Sequence, residues 1–403
     1  MTLILLSLER LAAIRDIERA NVMPHQNSVF ASVLKLVPWS VFDRLVKEHG
    51  SDYRIRQLTT KNQLVALLYA QFAGATSLRQ IEADLLSHAS RLFHVGAKPV
   101  ARSTLGDANA LRPSGVFTAL LDHMMNLVHR KVRQEVREAT FLIDSTSVRL
   151  NSLSANWARF SDNVYGAKLH VIYDAGRDCP IYAVVTASNV NDISAAKDMP
   201  IVPGATYVFD LGYYDYGWWA ALDDAGCRIV TRFKSNTPLT IVEELPVQRS
   251  GAILSDRIGH LPARQAKSRR NPLQDPVREV RVRTETGHVL RILSNDLDAT
   301  AQEIADLYKR RWEIELFFRW IKQTLKITKF LGTSENAVRI QIAVALIAFL
   351  LLRLAQATQK AIPSPLTFTR LIRANLMHCR PLDRLLAPPP PDPNTRQMVL
   401  QWA

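Results

Sequence analysis

The chain has 403 residues, with 51 Lys and Arg against 37 Asp and Glu, a formal net charge of +14. Its 47% hydrophobic and 22% charged content fits two or three globular domains and excludes a disordered or fibrous chain. Three scattered cysteines, Cys179, Cys227 and Cys379, have no CxxC spacing, which argues against a disulfide framework or structural zinc and for a reducing, cytoplasmic setting. The positive excess points to a polyanionic partner, nucleic acid above all.

Residues 1–6 are apolar but lack the basic flank of a signal peptide. No membrane span is expected. The longest apolar run, 342–352, falls short of the roughly 18 residues a bilayer requires.

Residues 1–130 read as an all-helical domain. Val29, Val33, Leu34 and Leu36, then Leu64, Leu67, Leu68 and Phe72, recur at helical spacing, with breaks at Pro38, at 50–52 and at 98–99. Ser103 or Thr104 is the expected cap of a further helix. Arg91, Lys98, Arg102 and Arg112 on such short helices suit a DNA reader.

After residue 138 the pattern becomes α/β. Residues 140–143 form an apolar strand closed by Asp144. Residues 166–173 alternate, with Ala167, Leu169, Val171 and Tyr173 on one face and Lys168 and His170 on the other, Lys168 facing solvent. A turn at 174–178 leads to a strand at 181–186, Asn191-Asp192 cap a short helix, and 207–209 form a buried strand closed by Asp210. A helix to Ala225 and a strand at 228–233 complete the order β-β-β-α-β-α-β, that of a ribonuclease-H-like core. Residues 235–298 read as a β-rich insertion in which ten Lys and Arg meet four acids between Arg249 and Arg291. Lys267, Arg269 and Arg270 are its densest cluster and the expected phosphate contacts. One long helix is expected from 299 to 328 and a second, mostly apolar, from 336 to 360. The core is thus 138–234 with 299–360, and 361–403 is a tail.

On the first of those helices, Tyr308, Arg311, Glu315 and Lys322 share a stripe about 60° wide at about 100° per residue. Leu307, Ile314, Phe317, Ile321 and Leu325 form the neighbouring core face. Asp144 and Asp210 close adjacent central strands, and Glu315 can pack across them. Three carboxylates without histidine or cysteine make an oxygen-only site suited to two Mg²⁺ or Mn²⁺ ions and to phosphoryl transfer.

These segments together resemble the DDE transposases of bacterial insertion sequences, specifically the insertion sequence 4 family. Asp144-Ser145 after its strand, Tyr165-Gly166-Ala167-Lys168-Leu169-His170, Asp210-Leu211-Gly212-Tyr213 and the Y-(2)-R-(3)-E-(6)-K spacing of Tyr308, Arg311, Glu315 and Lys322 carry the likeness. Pro24-His25-Gln26-Asn27 and Arg102-Ser103-Thr104-Leu105 resemble the amino-terminal domain of one branch. The resemblance implies that Asp144, Asp210 and Glu315 bind two metal ions, and that Tyr308, Arg311 and Lys322 hold phosphates of the transposon end. It implies double-stranded DNA as partner, for both ends and target, with a homodimer on that DNA. Trp218, Trp219, Trp312 and Trp320 are candidates for stacking a flipped base. The alternatives are a structure-specific nuclease on the same core and a non-catalytic DNA-binding protein derived from a transposase.

Overall fold

The computed structural model describes residues 27–131, 139–248, 251–325, 329–358 and 361–386. Residues 1–6 and 24–26, Arg249 and the C-terminal stretch from 387 onward lie outside these described residues. Helices α1 (Val29–Leu34), α2 (Trp39–Glu48), α3 (Thr60–Ala73), α4 (Leu78–Ser87), α5 (Ala89–Leu92), α6 (Arg102–Leu111) and α7 (Gly115–Lys131) come first. Next come β1 (Thr140–Leu150), α8 (Ala155–Ala158), β2 (Arg159–Ser161), β3 (Val164–Asp174), β4 (Cys179–Ala187), α9 (Asp192–Lys197), β5 (Thr206–Phe209), α10 (Tyr216–Asp224) and β6 (Arg228–Arg232). The insertion holds β7 (Thr240–Leu245), β8 (Ile253–His260), β9 (Arg264–Ala266), β10 (Arg269–Arg270), β11 (Val277–Arg283) and β12 (Val289–Ser294). Helices α11 (Ala301–Arg310), α12 (Trp312–Thr324), α13 (Glu335–Ala357) and α14 (Pro365–Asn375) close the chain.

Contacts divide the chain into two compact units: Met1–Val37 with Asp84–Pro99 and Leu351–Ala403, and Pro38–Ala83 with Val100–Leu350. In the first, Ser28 caps α1 by accepting the Ala31 N–H at 3.2 Å. The Val29 and Phe30 amides donate to the His378 and Leu376 carbonyls just past α14, at 2.9 and 2.8 Å. The ends of the described chain are thereby joined by backbone hydrogen bonds.

In the second unit, α3 is buried on all sides, which explains its unbroken apolar run. Thr59 caps its start and Gly74, at φ 76°, ends it in the left-handed conformation that glycine adopts without strain. α6 begins at Arg102, not at Ser103, and its cap is Ala101, which has no side chain to offer. Glu82 of α4 substitutes, accepting the Arg102 N–H at 3.0 Å. Arg112 is only 6% exposed, donating to the Leu58 carbonyl and to Gln63 Oε1 at 3.3 Å, so it cannot serve as a DNA contact.

β1 pairs antiparallel with β3 and parallel with β5; β3 pairs antiparallel with β4, and β5 parallel with β6. The resulting order β4-β3-β1-β5-β6 is the ribonuclease-H-like one. The insertion is not a detached module: β12 pairs with β6, and β11, β8 and β7 continue the same sheet outward. One sheet face is covered by α9 and α10 through Ile143, Ile172, Tyr207, Phe209, Trp218 and Trp219. Each large buried apolar side chain contributes about 1.5–3 kcal/mol. On the other face the Phe317 ring of α12 lies 4.9 Å from Tyr173 and 5.1 Å from Phe349 of α13.

Three expectations change. Asp144 does not end its strand: β1 continues to Leu150 because its pairing with β3 continues, while its pairing with β5 stops at Ile143 opposite Phe209. The helix expected over 299–328 is two helices meeting at Arg311, whose N–H bonds the Tyr308 carbonyl at 3.1 Å, a tight i−3 turn. The buried face shifts at this joint. Ile304 and Tyr308 point inward on α11, with Leu307 only half-buried, and Ile314, Phe317 and Ile321 do so on α12. Finally, α13 is long and apolar enough to cross a membrane, but 83% of its most apolar stretch is buried inside the protein.

Candidate active site

Asp144 sits on β1 where the parallel neighbour β5 stops, and Asp210 directly follows the last β5 residue, Phe209. Asp210 caps a 3₁₀ turn, accepting the Gly212 N–H at 2.8 Å. A Cβ on Gly212 would stand 3.1 Å from Asp210 Oδ1 and 3.1 Å from Asp192 Oδ2, so a side chain there would press on both carboxylates.

The α11–α12 joint aims Arg311 at this corner. Its Nη2 donates to Glu315 Oε1 at 2.5 Å, and its Nη1 lies 3.6 Å from Asp144 Oδ2. The break at residue 311 leaves the guanidinium one turn from Glu315 and across from β1. Burial pushes the Asp144 carboxyl up to about 7; Asp210 and Glu315 push the same way, and the Ser145 N–H and Arg311 oppose them. Burial works against the charge on Arg311, but Tyr308, Glu315 and Asp144 outweigh it and hold the guanidinium above its ordinary range. Tyr308 is 8% exposed, and burial raises its phenol despite the opposing charges of Arg311 and Arg232. Lys322, half-buried at the far end of α12, is lowered by burial and partly restored by Asp144. Arg311, Glu315 and Lys322 thus act on Asp144 from two helices that meet at Arg311, not from one unbroken helix.

The donor set is all oxygen, as Mg²⁺ and Mn²⁺ prefer. Acids gathered without a cation repel one another, and Asp210 and Glu315 add to the burial that raises Asp144. Among the described residues, acids, histidines and cysteines nowhere close into a ready three-ligand group. Here Arg311 holds Glu315 through Oε1. The Nε atoms of Arg311 and Arg232 are buried without hydrogen-bond partners, an arrangement that a phosphate oxygen would satisfy.

Sequence reasoning missed three residues here. Arg232 was passed over as part of a strand, although a charge inside the apolar run 229–233 was a signal. Lys168 does not face solvent: it is 18% exposed, and Nζ donates to the Val190 carbonyl and to Asp192 Oδ1, both at 3.1 Å. Asp192 begins α9, yet its carboxylate turns toward β1 and β3, and Asn191 caps that helix without a side-chain bond.

The cluster Lys267, Arg269 and Arg270 lies on an exposed two-stranded hairpin, β9–β10. Gln265 fastens it to the segment after Asp210, accepting the Tyr216 N–H at 2.9 Å and donating to the Tyr214 carbonyl at 3.0 Å. Arg269 reaches Asp215 at 3.5 Å. Elsewhere the insertion's positive charge is neutralised internally. Arg278 forms a two-pronged pair with Asp256 at 2.8 and 2.6 Å, and Arg291 pairs with Glu279. Of the four candidate tryptophans, Trp218 and Trp219 are buried and Trp320 half-buried, while Trp312 is 51% exposed.

Residues 137–351 match the family model described as the transposase DDE domain, and residues 25–98 match a domain of unknown function, DUF4372. The chain is 40% identical over 73% of its length to y4zB of Sinorhizobium fredii, a protein named as a transposase, covering 82% of it. It is 29% identical over 67% of its length to a protein of Geobacillus stearothermophilus named as a transposase for insertion sequence element IS5377, covering 72% of that protein. Among solved structures, a piggyBac transposase synaptic complex with hairpin DNA aligns at a TM-score of 0.44 and 12% identity, over 92% of this chain and 83% of the other.

Proposed function

The chain belongs to the family of DDE transposases, and from that premise we propose that Asp144, Asp210 and Glu315 hold the metal ions with which it cuts transposon ends and joins them to target DNA. As a transposase it is an enzyme acting on DNA, and DDE chemistry depends on divalent metal. The observation that carries the assignment is Arg311 between Asp144 and Glu315, beside the strand end that bears Asp210. Two Mg²⁺ or Mn²⁺ ions about 4 Å apart would activate the attacking oxygen and stabilise the leaving one. In cleavage, a water oxygen bonds to phosphorus and the bond to the 3′ oxygen breaks, leaving a 3′-OH on the element and a 5′-phosphate on the flank. In joining, that 3′-OH attacks a target phosphodiester and displaces the target's own 3′ oxygen.

Arg311, Lys322 and Tyr308 would place the scissile phosphate, and Trp312 is the exposed ring available to an unstacked base. The Y-R-E-K order supports the insertion sequence 4 branch. Two copies would hold two ends, and the N-terminal segment 1–130 would bind the repeats.

Arg311→Lys keeps the charge but loses the two-pronged geometry. It should slow cleavage and joining by about 1–3 kcal/mol of lost charged hydrogen bonding, read in single-turnover assays on labelled end duplexes. If Arg311 only paired with Glu315, the substitution would be nearly silent. Cleavage without a joined product in the same gels would instead support a structure-specific nuclease.

Glutamine at Lys267, Arg269 and Arg270 together should flatten the slope of log K against log salt for end binding by about 2–3 units. An unchanged slope in a filter-binding series would return the hairpin to an ordinary solvated turn.

A further inference from the structure

We propose that Lys168 and Asp192 form a charged strut beneath the catalytic acids that sets the positions of Asp144 and Asp210. The proposal rests on the assignment of those two aspartates made above. Asp192 Oδ1 takes a hydrogen bond from Ser145 Oγ at 2.8 Å, and Ser145 donates its own N–H to Asp144 Oδ1 at 2.7 Å. Asp192 Oδ2 lies 3.1 Å from where a Cβ on Gly212 would stand, and the Gly212 N–H holds Asp210. One carboxylate thus bonds the neighbour of the first aspartate and borders the space beside the glycine that orients the second. Lys168 fixes that carboxylate from β3 and also holds the Val190 carbonyl, so the loop leading into α9 cannot drift.

The pair is only 18% and 24% exposed, and removing one partner from such a pair leaves an uncompensated charge. His170 lies 3.7 Å from Asp192, but burial depresses it to about 4, so near neutrality it is uncharged and Lys168 provides the balancing cation. Asp192 Oδ1 already accepts from a lysine and a serine, which suits a positioning role. Both residues belong to segments that looked ordinary in sequence, an alternating strand and a helix start.

The test is a double-mutant cycle in the full chain, with four readouts: cleavage of labelled end DNA, end binding without metal, Mn²⁺ affinity by electron paramagnetic resonance, and melting temperature. Lys168→Met and Asp192→Asn should each slow cleavage about tenfold, as substitutions behind metal ligands do. The double variant should be no slower than the worse single, since the two act as a unit. End binding should be unchanged throughout. Mn²⁺ affinity should fall in Asp192→Asn, where Lys168 is left unbalanced, and recover in the double variant.

Parental cleavage in both singles, or losses that multiply to about a hundredfold in the double, would overturn the strut. Mn²⁺ affinity that stays low in the double would make Asp192 a ligand instead. If Asp192→Asn melts early, Lys168→Arg against Lys168→Met decides: retained activity in the arginine variant alone supports the strut, and equal losses overturn it. Asp144→Ala in the same assays fails or holds independently, so an error in the triad is distinguishable from an error in the strut.

Discussion

Asp144→Ala, Asp210→Ala and Glu315→Ala are each expected to lower metal-dependent cleavage by at least about a thousandfold while leaving affinity for end DNA within about threefold. The separation follows from where the three groups lie. They gather near the end of β5 and Arg311, and none belongs to the exposed basic hairpin proposed to contact phosphates. Removing a carboxylate also removes negative charge near the scissile phosphate, so binding has no electrostatic reason to weaken. Combining two alanines should cost little more than one, because the ligands act as a unit. Gel assays for cleavage and for binding read both quantities, and a variant that still cleaves substantially would remove its residue from the site.

The second large effect concerns stability and runs the opposite way. With its folded value near 7, against about 3.9 unfolded, Asp144 binds a proton more readily in the native state. Its ionised form therefore destabilises the metal-free protein. The cost is absent below about pH 4, where both states are protonated, grows as pH rises, and is complete above about pH 7. Asp144→Asn should raise the stability of metal-free protein at pH 8 by about 2–4 kcal/mol, a figure reduced for residual solvent around the side chain. The gain should vanish near pH 4. Urea unfolding at the two pH values checks this; an asparagine variant no more stable than its parent at pH 8 would show that the carboxylate is not strained. The same proton links metal binding to pH, since a ligand must lose it to coordinate, so metal affinity should rise as pH approaches 7.

Strand order was legible because alternation and turn residues are local signals. The pairing of β1 with β3 and β5 follows from them together with the ribonuclease-H-like order. The length of β1 was not legible. Asp144 in an apolar run looks like a terminus, and only the continuing partner β3 carries the strand to Leu150. The break at Arg311 was hidden as well, since residues 308–315 contain no proline or glycine to announce it. The break coincides with tertiary features: Arg311 reaching Asp144, and a buried face that shifts from Tyr308 to Ile314. The continuity of the insertion with the core sheet depends on Ile292 meeting Arg232, a pairing between residues far apart in sequence. Asp192 and Lys168 escaped notice for a similar reason. Each has an ordinary local role open to it, and their contact arises only when β3 and α9 are brought together.

The most direct test of the metal site is to exchange its donor atom. Asp210→Cys replaces a hard oxygen with a softer thiolate, which Mn²⁺ accepts better than Mg²⁺. Cleavage of labelled end DNA by this variant should be lost in Mg²⁺ and partly regained in Mn²⁺, with the parent active in both. Parental cleavage by Asp210→Cys in Mg²⁺ would contradict the assignment of Asp210, and with it the claim that the acids around Arg311 are the metal site of this transposase.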